Sequence, residues 1–88
     1  MTVLVRPKRS FVYKSLRIGE YLLSKGEGLP KHEHTFNHLT ICISGSCAIR
    51  KENLDIVLTP SDNAIDLSAN EWHEIEALED NTIVINME

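Results

Sequence analysis

An all-β sandwich or barrel is the fold this sequence predicts, on three observations. No window of about 11 residues repeats apolar positions at helical spacing. The chain breaks instead into short runs in which apolar and polar residues alternate. Clusters of Gly, Pro, Asn, Asp and Ser punctuate those runs at roughly 8–12-residue intervals, the rhythm of sandwiches and closed barrels.

Val3–Arg6 reads as a first strand stopped by Pro7. Phe11–Ile18 reads as a second, and Glu20–Ser24 as a third after Gly19. Gly26-Glu-Gly-Leu-Pro reads as a loop, because two Gly and a Pro interrupt any alternation. His38–Ser44 is the clearest strand, with β-branched Thr40, Ile41 and Ile43. Ser44-Gly45 then suggests a tight hairpin returning through Cys47–Lys51, a register that places Ile43 opposite Ser46 and Cys42 opposite Cys47. Leu54–Thr59, Ala64–Leu67, Trp72–Leu78 and Thr82–Met87 complete eight or nine strands, separated by Glu52-Asn53, Pro60-Ser-Asp-Asn, Ser68-Ala-Asn-Glu and Glu79-Asp-Asn.

Eighty-eight residues make one domain, 1–88, with a modest core. No apolar run approaches the roughly 20 residues that span a bilayer, and the opening residues lack a signal-peptide core, so a soluble, cytoplasmic chain without membrane contact is expected. Cys42 and Cys47 lack the partners of a disulfide framework or a zinc finger and read as buried thiols, although the hairpin register would also permit a bridge. Charge is segregated: all nine Lys and Arg lie in residues 1–51, and ten of the thirteen acids lie in 52–88. Interleaved halves would turn that asymmetry into cross-strand ion pairs. The basic arm of Arg6, Lys8 and Arg9 has no aromatic or glycine pattern for nucleic acid, and the chain as a whole is acidic, which argues against such a partner.

Histidine is the informative residue. His32, His34 and His38 fall within seven positions, and the fourth, His73, lies in Trp72-His-Glu-Ile-Glu. Along an extended segment the even-numbered residues share a face, so His32, His34 and His38 would point together, with Glu33 and Asn37 opposite. An i, i+2 pair of imidazoles converges well on one ion, and a strand folding back with His73 would complete a four-nitrogen site.

The spacing Gly26-(x)5-His32-x-His34-(x)3-His38-(x)6-Gly45 resembles the first motif of the cupins, with His38 where that family usually has Glu. The second cupin motif is matched loosely: its histidine falls on His73, Asn70 takes the inner Gly position, and Ser68, Asp62 and Ala77 replace Pro, Gly and Asn. Asn tolerates the left-handed backbone a turn needs. The resemblance covers residues 26–81 and implies a jelly-roll β-barrel or sandwich with a metal in its mouth, held by His32, His34, His38 and His73.

Four imidazoles add no ligand charge, which suits Fe, Ni, Cu or Zn as the divalent ion better than Mg. On the inferred inner face, Thr40 and Cys42 follow His38, and Ile75 and Ala77 follow His73, a mostly apolar lining without a further carboxylate to serve as base. Tyr13, Tyr21 and Phe36 are candidates to flank the mouth. Trp72, Leu39, Ile41 and Ile43, facing away, imply an outer surface covered by a second copy in a homodimer or by the other sheet of the sandwich. The resemblance implies a metal-dependent oxygenase or a lyase/isomerase acting on a small-molecule ligand. The alternatives are a non-catalytic metal- or sugar-binding module and a structural cupin with vestigial histidines.

Overall fold

The structure, a computed structural model, describes residues 2–32 and 37–88. It is all-β, two five-stranded sheets packed face to face. The strands are β1 (Val3–Leu4), β2 (Arg9–Tyr13), β3 (Leu16–Leu23), β4 (Glu27–His32), β5 (His38–Ser44), β6 (Cys47–Lys51), β7 (Leu54–Leu58), β8 (Ile65–Leu67), β9 (His73–Ala77) and β10 (Thr82–Met87). The first sheet runs β1-β4-β9-β6-β7 and the second β2-β3-β10-β5-β8. Apart from the β2-β3 and β6-β7 hairpins, neighbouring strands are distant in sequence, which is the pattern of a jelly roll.

Alternation decides what is inside. Leu23, Cys42, Leu67 and Val84 of the second sheet meet Cys47, Ile49, Leu58, Ile75 and Ala77 of the first in one apolar cluster. Burying such side chains contributes about 1.5–3 kcal/mol for each large one. His38, Thr40 and Cys42 point inward along β5, and His73, Ile75 and Ala77 along β9, as the sequence predicts.

Three expectations are corrected. Phe11–Ile18 is not one strand, because Lys14-Ser15 forms a two-residue turn that pairs Tyr13 with Leu16. Lys14 adopts a φ of 56° there, a conformation that its residue type does not advertise. Gly19, taken as a break, sits within β3 opposite Ser10 and Asn86. The Gly26–Pro30 loop is largely β4. Pro30 falls in the register shift between Leu29 and His32, where its missing N–H removes no ladder bond.

Gly28 lets β4 lie close against β9. A methyl group on it would stand 2.1 Å from the Ile75 carbonyl oxygen. The close approach carries β4 forward to pair His32 with His73.

Ser44-Gly45 is not a hairpin. The chain crosses there from the second sheet to the first, so β5 and β6 belong to different layers. Gly45 has a φ of 75°, and a methyl group there would lie 2.4 Å from Thr82 Oγ1. Cys42 and Cys47 still touch, across the core rather than across a ladder. Both are free and buried, and Cys42 Sγ donates to the Ser44 carbonyl at 3.3 Å. Burial first, and then Cys42, pushes the Cys47 thiol up to about 12.

The charge segregation resolves as cross-strand pairing. Arg50 bonds Glu74 and Glu76 at 2.9 and 2.7 Å, and Lys51 reaches Glu71 at 3.0 Å. Trp72 packs beneath Lys31 of the first sheet, with Nζ 4.4 Å from the ring centroid. Leu39, Ile41 and Ile43 belong to the second sheet, so these four do not form one apolar surface. No helix among the described residues is long and apolar enough to cross a membrane.

Replacing Gly28 by Ala should cost about 2–4 kcal/mol, since backbone rather than a flexible side chain must move, and the urea midpoint of the purified protein measures it. Cys47 makes stability pH-dependent. Its folded value lies above the ordinary thiol range, so the unfolded chain ionises first and stability falls as pH rises from about 9 towards 12. Denaturation midpoints should therefore drop across that window, and Cys47→Ala should flatten the fall.

Candidate metal centre

Three strands bring three of the four predicted ligands together. His32 ends β4, His73 opens β9 beside it, and His38 opens β5 in the opposite sheet. The histidines therefore do not share one face of one strand. They converge from facing sheets across the mouth of the sandwich. His34 lies outside the described residues, as do Glu33 and Phe36.

The ligating atoms of His32, His38 and His73 all lie within 4.8 Å of one another. His38 Nε2 stands 3.0 Å from His73 Nε2. The rings meet edge to face, His73 with His32 at 4.4 Å between centroids and with His38 at 4.9 Å. His38 and His73 are buried, and His32 is half-buried towards the opening.

The hydrogen bonds assign each tautomer. His32 Nδ1 donates to the Pro30 carbonyl. His73 Nδ1 donates to the Glu71 carbonyl at 3.1 Å. Thr40 uses its one hydroxyl proton on Asn86 Oδ1 at 2.7 Å, so at its 3.3 Å contact with His38 Nδ1 it must accept. All three rings thus hold a proton on Nδ1 and a lone pair on Nε2, and the Nε2 atoms of His38 and His73 meet.

Two such lone pairs at 3.0 Å repel unless a proton or a cation lies between them. Nitrogens each about 2.1 Å from one ion and at right angles to each other are about 3.0 Å apart, so the pair matches an edge of a coordination polyhedron. Metal-bound histidines characteristically anchor the other ring nitrogen to a carbonyl or hydroxyl, as all three do here. The donor set fits a divalent transition ion.

A cavity of about 290 Å³ opens onto this cluster. Its wall is Pro7, Ser10, Arg17, Gly19, Tyr21, Leu29, Asn86 and Glu88, with His32 and His38 at its floor. Lacking a side chain, Gly19 leaves room in the middle of β3. The lining is more polar than the sequence suggests, and it contains the carboxylate that strand reading missed. Glu88 and Arg17 exchange backbone hydrogen bonds at 2.8 and 2.9 Å beyond the end of β10, so Glu88 shares the inner face with Asn86 and Val84. Extending the alternation of β10 by one step past Met87 would have found it. Tyr21 lines the wall, whereas Tyr13 is exposed on the hairpin. Burial, and then the charge of Glu88, raises the Tyr21 phenol above its usual value despite a hydrogen bond to Asn86.

No protein-family model and no curated protein sequence matches the chain. Solved structures do. KdgF from Halomonas sp. superposes with a TM-score of 0.75 at 22% identity, over 82% of this chain and 67% of that one. A cupin superfamily protein from Desulfitobacterium hafniense DCB-2 gives 0.75 at 18% identity, over 94% and 79%. YcfD, a ribosomal oxygenase from Escherichia coli, gives 0.66 at 22% identity, over 81% of this chain but only 21% of that protein. The fold is that of a small cupin domain, as the motif spacing implies.

If Thr40 fixes the His38 tautomer, Thr40→Val should weaken metal binding about tenfold or more, read by competition with a coloured chelator. Thr40→Ser keeps the hydroxyl and should restore most of the affinity.

Proposed function

We propose that this chain is a metal-dependent enzyme of the lyase or isomerase kind, moving a proton on a small oxygenated molecule. The observation that supports it is the joining of two sets of groups in one cavity. Two of the three clustered imidazoles, His32 and His38, form the floor, with His73 against His38, and a phenol and a carboxylate stand on the wall. The bound ion would be Fe, Ni, Cu or Zn, held by His32, His38 and His73, with His34 as the fourth ligand of the sequence motif. When bound, it would act as a Lewis acid on substrate oxygens.

The chain's own groups supply the rest. Glu88 is placed to accept a proton within the cavity, and Tyr21, kept protonated by burial and by Glu88, is placed to donate one. Asn86 orients both Tyr21 and Thr40. Leu29 adds an apolar stretch to the wall beside them. A second reading, an oxygenase, draws on the likeness to YcfD and needs only the histidine floor.

Purified protein should retain about one transition ion per chain by elemental analysis, and His73→Ala should lose it. With a panel of small hydroxy and keto acids in D2O, the loaded protein should exchange deuterium at carbon beside a carbonyl, without consuming oxygen. Glu88→Gln should slow that exchange about 100-fold or more and leave metal content unchanged. Oxygen uptake with no exchange would replace this reading by the oxygenase, and absence of retained metal after reconstitution would remove both.

A further inference from the structure

Arg17 stands out from the other arginines of the strands. Arg9 bonds Glu20 at 2.9 Å, and Arg50 bonds both Glu74 and Glu76. Among the described residues no carboxylate lies within ion-pair distance of Arg17, although Glu88 is its direct cross-strand neighbour. Arg17 is exposed at the rim, where it lines the cavity that also holds His32 and His38. The geometry points to a carboxylate-binding subsite anchored by Arg17, and hence to a small hydroxy or keto acid with one carboxylate remote from the metal as the molecule this chain takes. The substrate class rests on the proposed metal centre for the position of the near end, and the subsite itself does not.

The register sets the span. Thr40 pairs with Asn86 and Leu39 with Met87, so the same ladder places His38 opposite Glu88, which in turn faces Arg17. Two interstrand spacings separate the Arg17 and His38 backbones, roughly 10 Å in all. A guanidinium on one side and imidazole nitrogens on the other leave room between them for a short acid. The cavity volume, about 290 Å³, is at the small end of ligand pockets and suits such a molecule.

Charge favours the same ligand. The chain has a net charge of −4, yet its Lys8–Leu23 hairpin holds Lys8, Arg9, Lys14 and Arg17 against Glu20 alone. That basic lip draws an anion to an otherwise acidic protein. A planar guanidinium binds a carboxylate through two parallel hydrogen bonds. Ser10 and Asn86 add neutral polar groups on the same wall. With Glu88 adjacent, a singly charged carboxylate is accommodated better than a phosphate dianion.

Calorimetric titration of the zinc-loaded chain with lactate and malate tests the subsite. Lactate can chelate the ion but has no second carboxylate, whereas malate can also reach the wall. Malate should bind about tenfold or more tighter than lactate, and Arg17→Gln should abolish that advantage while leaving lactate binding and zinc content unchanged. An advantage that survives Arg17→Gln would overturn the proposal, as would Arg17-dependent binding of inorganic phosphate tighter than malate. Should the chain not hold zinc, the metal reading fails separately. The malate titration of the metal-free protein then decides the subsite: Arg17-dependent binding supports it and its absence refutes it.

Discussion

The hydrogen bonds that hold three imidazole Nδ1 atoms are the constraint around which this domain is arranged. His38 and His73 are buried, and a buried polar ring is tolerable only when its nitrogens are partnered. The Pro30 and Glu71 carbonyls and the Thr40 hydroxyl meet that requirement on one side of the rings. Because these rings engage Nδ1, the Nε2 atoms of His38 and His73 face one another, and a cation there would reconcile them. The irregular Pro30 step in β4 therefore has a use. It breaks the ladder where a carbonyl must turn to meet its own strand's histidine.

The interior is graded along the strands. Inner-face residues of β10 and its continuation run Thr82, Val84, Asn86, Glu88, from the closed end of the sandwich to its mouth. Cys42 and Tyr21 flank Val84, Thr40 and Gly19 flank Asn86, and Arg17 flanks Glu88. Apolar packing that stabilises the fold thus lies at one end and titratable groups at the other, joined by Thr40 and Asn86, which belong to both. These 88 residues have little core to spare, and this gradient lets them carry a polar cavity without dividing that core.

Much of this was legible in the sequence. Alternation over His38–Ser44 and His73–Ala77 gave the strands and their inward faces, because both lie between a solvated and a buried layer. Histidine spacing and the glycines around it gave three of the cluster's ligands, and Asn70, expected to adopt a left-handed turn, has a φ of 62°. What escaped was what only topology decides. Lys14-Ser15 turns the chain with Lys14 rather than a Gly or Asn at the positive φ, and Ser44-Gly45, which has the glycine, crosses between sheets instead. Alternation could have placed Glu88 on the inner face, but nothing local pairs it with Arg17, 71 positions away and joined to it only by a cross-strand ladder.

X-ray absorption at the metal edge of the reconstituted protein tests the central claim most directly. A centre built by these rings should show at least three imidazole nitrogens at about 2.0–2.1 Å, with the multiple scattering that ring ligands produce. A shell of oxygen atoms without imidazole scattering would contradict it and would return the three histidines to a purely structural role.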